Sequence, residues 1–217
     1  PFADPNNIKI LKKLAETNPS CRVEICTNMQ LVTNTVIEIL HKIHEVHIQA
    51  SIDGVHEMYD WIRGGNFKRT VNNIKRYHEH SGRKVVIVST VSVYNWMHLP
   101  ELIDYWKDIG GVDRISMANL VTFPKYCSPC YLDVHHIEEG RNKLFDYLKD
   151  WNKISDTYYE TDNLHLSGMN NVLSVVQGDD DVKLIQERMI QWIDFCLVAR
   201  ENNEDIYELA PYLREYE

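Results

Sequence analysis

No apolar stretch in the 217-residue chain approaches the roughly 20 residues that a membrane helix needs. The N-terminus, PFADPNNIKILKK, also lacks the charged, apolar and small-residue layout of a signal peptide. Both absences point to the cytosol and away from a membrane. Basic charge is in short supply, since 23 Lys and Arg stand against 32 Asp and Glu for a net charge of -9. That balance repels a phosphate backbone on average, so nucleic acid is not an expected partner. Cysteines are few and odd in number: Cys21, Cys26, Cys127, Cys130 and Cys196. They form no secreted disulfide framework, and reduced thiols are the simpler reading. A Ser/His/Asp order, a glycine-rich phosphate loop, a zinc-hydrolase helix and an internal repeat are all missing.

The hydrophobic fraction of 44% and charged fraction of 25% are those of a globular protein. Asp4-Pro5 caps a helical pattern over residues 8–17, and CRVEICTN then reads as a strand. Helices at TNTVIEILHKI, NFKRTVNNIKRYHEH and HLPELIDYWKDIG alternate with strands at VHIQASID, RKVVIVSTVS and VDRISMAN. This rhythm predicts an α/β fold with a parallel sheet. Within the strands one face is polar: His47, Gln49, Ser51 and Asp53 oppose Val46, Ile48, Ala50 and Ile52. A doubly wound sheet buries both faces, whereas half-polar parallel strands suit a curved sheet whose inner face lines a cavity. The expectation is a partial TIM-like (β/α) barrel over 1–120. An irregular junction, LVTFPKYCSPCYLDVHH, follows, and 121–217 reads as an α-rich C-terminal extension.

Four strands finish in small polar groups: Thr27-Asn28, Ser51-x-Asp53, Thr90-x-Ser92 and Asn119. Ligands of parallel α/β sheets sit at the carboxyl ends of the strands, so these groups should ring one pocket. Carboxylate and hydroxyl groups suit ribose, and the planar fork of Arg63 suits a carboxylate or phosphate. Taken singly, each residue also has a structural reading, because Asp-Gly is an ordinary turn and Ser or Asp often caps the next helix.

The segments PFADPNNIKILKKLAETNPSCRVEICTN, VHIQASIDGVHEMYDWIRGGNFKRTVNNI and VVIVSTVSVYNWMHLPELIDYWKDIG together resemble the radical S-adenosylmethionine superfamily, in particular its twitch- or SPASM-bearing members. In that family the second strand ends in Gly-Gly-Glu-Pro, the third in Thr-Asn-Gly and the fourth in Ser-x-Asp-Gly with a downstream aromatic-Asp-x-x-Arg. Pro1 stands at the end of the first motif. Thr27-Asn28 follows the second, with Met29 in place of its glycine, and Ser51-Ile52-Asp53-Gly54 with Tyr59 through Arg63 follows the third. In the tail, Arg200 and Pro211 resemble a family signature, with Leu197 where an Asp is usual.

The resemblance implies S-adenosylmethionine as cofactor beside a 4Fe-4S cluster held by a C-x-x-x-C-x-x-C loop. Reductive cleavage would then give a deoxyadenosyl radical that abstracts hydrogen from a peptide or small-molecule substrate, with a one-electron reductant protein as partner. Ser51 and Asp53 would face the ribose, Arg63 or Ser92 the methionyl carboxylate, and Asn28 the same pocket. No C-x-x-x-C-x-x-C occurs in the chain. It therefore reads as a fragment without the first strands and the cluster loop, inactive by itself, whose function belongs to a longer parent. Cys127 and Cys130 are the candidate ligands of an auxiliary cluster, with Cys196 as the remaining third thiol. Zinc on these two with His135 or His136 is another option, and two plain thiols in a junction loop are the first reading. The ten histidines otherwise read as solvated structural residues. The rival functions are an inactive module that binds a nucleoside, S-adenosylmethionine or a partner, and a barrel hydrolase using Glu24 and Asp53.

Overall fold

The computed structural model describes residues 1–155, 158–161, 164–199 and 205–216, without the side chain of Ala199. The Asp4 carboxylate accepts the Asn6 N–H at 2.8 Å and starts α1 (Pro5–Thr17), as the Asp-Pro signal predicts. β1 (Arg22–Thr27) leads into α2 (Asn34–His41), capped by the Thr33 hydroxyl. Then follow β2 (Glu45–Ser51), α3 (His56–Arg63) and α4 (Phe67–Ser81). β3 (Val85–Val91), α5 (Leu99–Asp108) and β4 (Val112–Leu120) complete the βα rhythm. The eight-residue α3 is too short for periodicity to announce. Gly64 stops it at φ 58, a left-handed turn that glycine adopts without strain.

β1 to β4 are parallel neighbours, and their register aligns apolar with apolar. Ile25 pairs with Ile48, Ala50 with Ile87, and Ile87 with Ile115, all of them buried. The opposite face sets Glu24 beside His47, Cys26 beside Gln49 and Val86 beside Arg114. A slip of one residue would turn every buried side chain to the wet face, so the alternation fixes the pairing. The mixed α/β architecture with a mainly parallel sheet follows the sequence reading.

The C-terminal half departs from the α-rich expectation. It contains α6 (Val134–Tyr147), α7 (Met169–Leu173), α8 (Val182–Ala199) and α9 (Ile206–Leu209). It also contains β5 (Asn152–Ser155), β6 (Tyr158–Glu160) and β7 (His165–Ser167), which extend the same sheet in the order β1-β2-β3-β4-β7-β6-β5. β7 lies parallel to β4, while β5, β6 and β7 are joined antiparallel. The sheet therefore continues past the expected junction at residue 120. Strands of three or four residues carry too few positions for alternation to register. β1 and β5 are the edges of the described sheet, and at β1 Arg22 pairs with Glu24 at 2.6 Å and Glu45 at 3.6 Å. Charges of this kind discourage pairing with a second chain. Among the described residues no helix is long and apolar enough to cross a membrane.

One contact locks α6 to the turn between β3 and α5. Trp96 is buried, and its indole N–H donates to the His136 carbonyl at 2.9 Å. A Cβ added at Gly140 would lie 2.2 Å from that indole nitrogen. Helix propensity favours Gly140→Ala by about 1 kcal/mol, but overpacking against a rigid ring costs about 1–3 kcal/mol. The substitution is expected to lower the urea midpoint despite the better helix former, and equilibrium unfolding by far-UV circular dichroism measures it.

Candidate functional site

A cavity of about 380 Å³ opens at the carboxyl ends of β1 and β2, within the size range of small-molecule sites. Cys26, Thr27 and Asn28 come from β1 and its exit, Ser51 from the tip of β2, and Arg63 from the last turn of α3. Pro1, Phe2 and Ala3 close one side. Of the sequence-predicted residues, Asn28, Ser51 and Arg63 thus meet on one wall.

Asp53 and Ser92 sit elsewhere. Asp53 is only 4% exposed and faces β3 instead of the cavity: Oδ1 accepts the Thr90 N–H at 2.7 Å. Oδ2 lies 2.5 Å from Arg63 Nε, an ionic contact in which the N–H is not well aimed at the oxygen. Burial pushes the Asp53 carboxyl above its ordinary range, and the Arg63 charge and the Thr90 N–H pull it back only in part. In this arrangement Asp53 holds Arg63 and does not offer itself to a ribose. Ser92 is buried in the turn after β3, where its N–H donates to Asn95 Oδ1 at 2.7 Å and its hydroxyl accepts from the Tyr94 N–H at 3.3 Å. The strand has already ended at Val91, so alternation no longer decides where Ser92 points.

Several positioning residues escaped the sequence reading. Asn95 donates to the Asp53 carbonyl at 2.7 Å and the Thr90 carbonyl at 3.0 Å, tying the tips of β2 and β3. The Asn28 carbonyl accepts from the Tyr59 and Thr70 hydroxyls, each at 3.2 Å. Gln30 reaches the Asn66 carbonyl at 2.9 Å and also bonds Thr70. Apart from Asn95 and Thr90, these partners lie 31 to 42 residues apart, and no local spacing marks them. Met29, where the resemblance has glycine, stands at φ 56 with its side chain fully buried. Asn73 holds its carbonyl at 2.7 Å and the Thr27 hydroxyl accepts its N–H at 3.1 Å.

A second cavity, of about 340 Å³, lies on the polar sheet face and includes Glu24, His47, Gln49, Arg114 and Ser116. Cys26 donates to Gln49 at 3.3 Å where the two cavities adjoin. Arg114 lines this cavity with its guanidinium 5.7 Å from the Tyr158 ring centroid, and its Nε is buried without a hydrogen-bond partner. A third cavity, of about 640 Å³, runs between Phe123–Tyr126 and α8, away from the polar tips of β1 and β2.

Residues 1–105 match the family model described as the Radical SAM superfamily. The matched segment is just under half of the chain and contains Asn28, Ser51, Asp53, Arg63 and Ser92. It supports a radical S-adenosylmethionine type of function, with S-adenosylmethionine and a 4Fe-4S cluster as the cofactors that such a family implies. No curated protein sequence matches the chain significantly. Among solved structures, Streptococcus suis SuiB bound to S-adenosylmethionine is 21% identical with a TM-score of 0.48, covering 65% of this chain and 31% of that one. SuiB alone is 22% identical with a TM-score of 0.49, covering 65% of this chain and 32% of that one. SuiB bound to the precursor peptide SuiA is 21% identical with a TM-score of 0.45, covering 66% of this chain and 31% of that one. This chain spans about a third of the length of those proteins.

The donor sets for the two cofactors differ. Hydroxyl, amide and guanidinium groups on the first cavity fit S-adenosylmethionine. An iron-sulfur cluster needs three or four converging thiolates, and among the described residues no group of three ligand atoms within 4.8 Å includes a cysteine. Cys127 instead lies beside the Tyr94 hydroxyl at 3.5 Å, and burial pushes its thiol up, which keeps it protonated. Cys130 is half-buried in the 3-10 turn Pro129–Tyr131, and its carbonyl accepts the Gly178 N–H at 2.9 Å. Cys127 and Cys130 do not converge with Cys196, His135 or His136 into a cluster or zinc set. Arg200 lies outside the described residues, and Pro211 begins the 3-10 turn Pro211–Tyr216.

Two outcomes are expected. Arg63→Ala leaves the buried Asp53 carboxylate without its counter-charge, which costs about 3 kcal/mol or more, and chemical unfolding measures that loss. Met29→Gly relieves about 1 kcal/mol of left-handed strain but removes a buried side chain worth about 2–3 kcal/mol. The net change is a destabilisation of about 1–2 kcal/mol, read from the same unfolding curves.

Proposed function

We propose that this chain supplies the S-adenosylmethionine-holding part of a radical enzyme that acts on a peptide or small-molecule substrate. The observation that carries this reading is the meeting of Asn28, Ser51 and Arg63 on one cavity at the strand tips, inside the segment that matches the family. Arg63, braced by Asp53 and still partly exposed, presents its remaining donors to the methionyl carboxylate. Ser51 and Asn28 offer the hydroxyl and amide that a ribose can use. When bound beside a reduced 4Fe-4S cluster, S-adenosylmethionine supplies a deoxyadenosyl radical for hydrogen abstraction. The thiolates for that cluster, and the electron from a reductant protein, come from outside the residues described. The substrate would occupy the adjoining polar face, which Glu24, His47, Gln49 and Arg114 line.

The lack of a converging thiol set among the described residues favours one alternative, a module that binds S-adenosylmethionine or a nucleoside without cleaving it. Titration calorimetry with S-adenosylmethionine tests the shared step. Binding is expected for the native chain and at least about tenfold weaker binding for Arg63→Lys, which keeps the charge but loses the fork. Ser51→Ala is expected to weaken binding by about 1 kcal/mol. No binding by the folded native chain, or equal binding by all three, sinks the site. Deoxyadenosine formation after anaerobic reduction, measured on a protein carrying a cluster, then separates the radical enzyme from the binding module.

A further inference from the structure

Among the described residues, one group of three His, Cys, Asp or Glu brings its ligand atoms within 4.8 Å of one another: Asp133, His135 and His136. Asp133 precedes α6, and the two histidines are its second and third residues, with ring centroids 3.9 Å apart. The far end of the chain brings Glu215 against the two histidines, outside that group of three. Glu215 places Oε2 3.4 Å from His135 Nε2 and Oε1 3.5 Å from His136 Nε2.

We propose that Asp133, His135, His136 and Glu215 form a structural site for a divalent transition ion of the zinc class. A tetrahedral ion with bonds of about 2.0–2.1 Å sets neighbouring donors about 3.4 Å apart, and each imidazole meets its own oxygen of Glu215 at close to that distance, His135 at Oε2 and His136 at Oε1. Length alone decides nothing, since His165 and Glu160 are also 3.4 Å apart, while His47–Glu45 and His98–Glu101 close to 2.9 Å. What those pairs lack is two imidazoles turned to one carboxylate with a second carboxylate beside them.

The surroundings are those of ligands held in place. His136 is 2% exposed, and its Nδ1 lies 2.7 Å from the Tyr216 hydroxyl, so Nε2 is the nitrogen turned to Glu215. The same hydroxyl accepts the Asp133 N–H at 2.8 Å, and Gln186 donates to Asp133 Oδ1 at 3.0 Å. Metal-bound imidazoles and carboxylates are oriented by second partners of this kind. The N-terminus of α6 disfavours a cation through its dipole, by about 1 kcal/mol or less, and two carboxylates outweigh that. Asp133, His135 and His136 supply the converging donors, and Glu215 closes the fourth position when the ion binds, which fits a structural ion and not a catalytic one. The ion would pin the turn Pro211–Tyr216 to the start of α6. The same tail carries α9, which packs against α3, the helix that holds Arg63. This inference stands apart from the S-adenosylmethionine site and survives its failure.

The test uses the untagged 217-residue chain, stripped with a chelator and titrated with zinc chloride and cobalt chloride. One ion per chain and a rise in the thermal midpoint are expected, with cobalt d–d bands and no thiolate charge-transfer band. His135→Ala and Glu215→Gln change side chains that are 61% and 60% exposed, so the metal-free midpoint should hold. Each should weaken zinc binding at least about tenfold. Absence of stoichiometric binding, unchanged affinity in both variants, or a thiolate band would overturn the site.

Discussion

The buried Asp53 carboxylate is the constraint around which the strand-tip end of the molecule is arranged. It joins β2 to β3 through the Thr90 N–H, and its own carbonyl is held by Asn95. It also fixes the last turn of α3 by contact with Arg63. A charge buried this deeply is tolerated only with partners, so β2, β3 and α3 are set together. The consequence is an arginine whose position is fixed before any ligand arrives. A preorganised cation loses less freedom on binding an anion than a mobile surface side chain does.

The sheet below this end separates two solvents by register. Ile25, Ile48, Ala50, Ile87, Ile115 and Leu166 form a continuous buried row across five strands against the helices. The alternate positions carry Glu24, His47, Gln49, Arg114 and Ser116, a face too polar to be covered by another helix layer. The fold therefore presents a hydrophilic wall that leads up to the cavity at β1 and β2, and the thiol of Cys26 marks where the two meet.

Period-2 alternation over six to nine residues was enough to read β1 to β4 and their polar face, because one residue of slip would bury charge. It failed at β5, β6 and β7, whose three or four residues belong to the sheet by pairing alone. Motif resemblance drew Ser51, Asp53, Arg63 and Ser92 together; the fold puts Ser51 and Arg63 on the cavity and turns Asp53 and Ser92 to neighbouring chain, because motifs carry residue types and not directions. Gln30, Tyr59, Thr70 and Asn95 were invisible for a plainer reason: their partners are distant in sequence. His136 drew notice only as a zinc option beside Cys127 and Cys130, and the fold instead brings Tyr216 and Glu215, some 80 residues on, against it.

The most direct measurement is a crystal structure of the chain with S-adenosylmethionine bound. The account expects the ligand at the tips of β1 and β2, its carboxylate on Arg63 and its ribose beside Ser51 and Asn28. Asp53 should keep the Thr90 N–H. A ligand seated elsewhere, or an Asp53 carboxylate turned out to the ribose with Arg63 released, would contradict it.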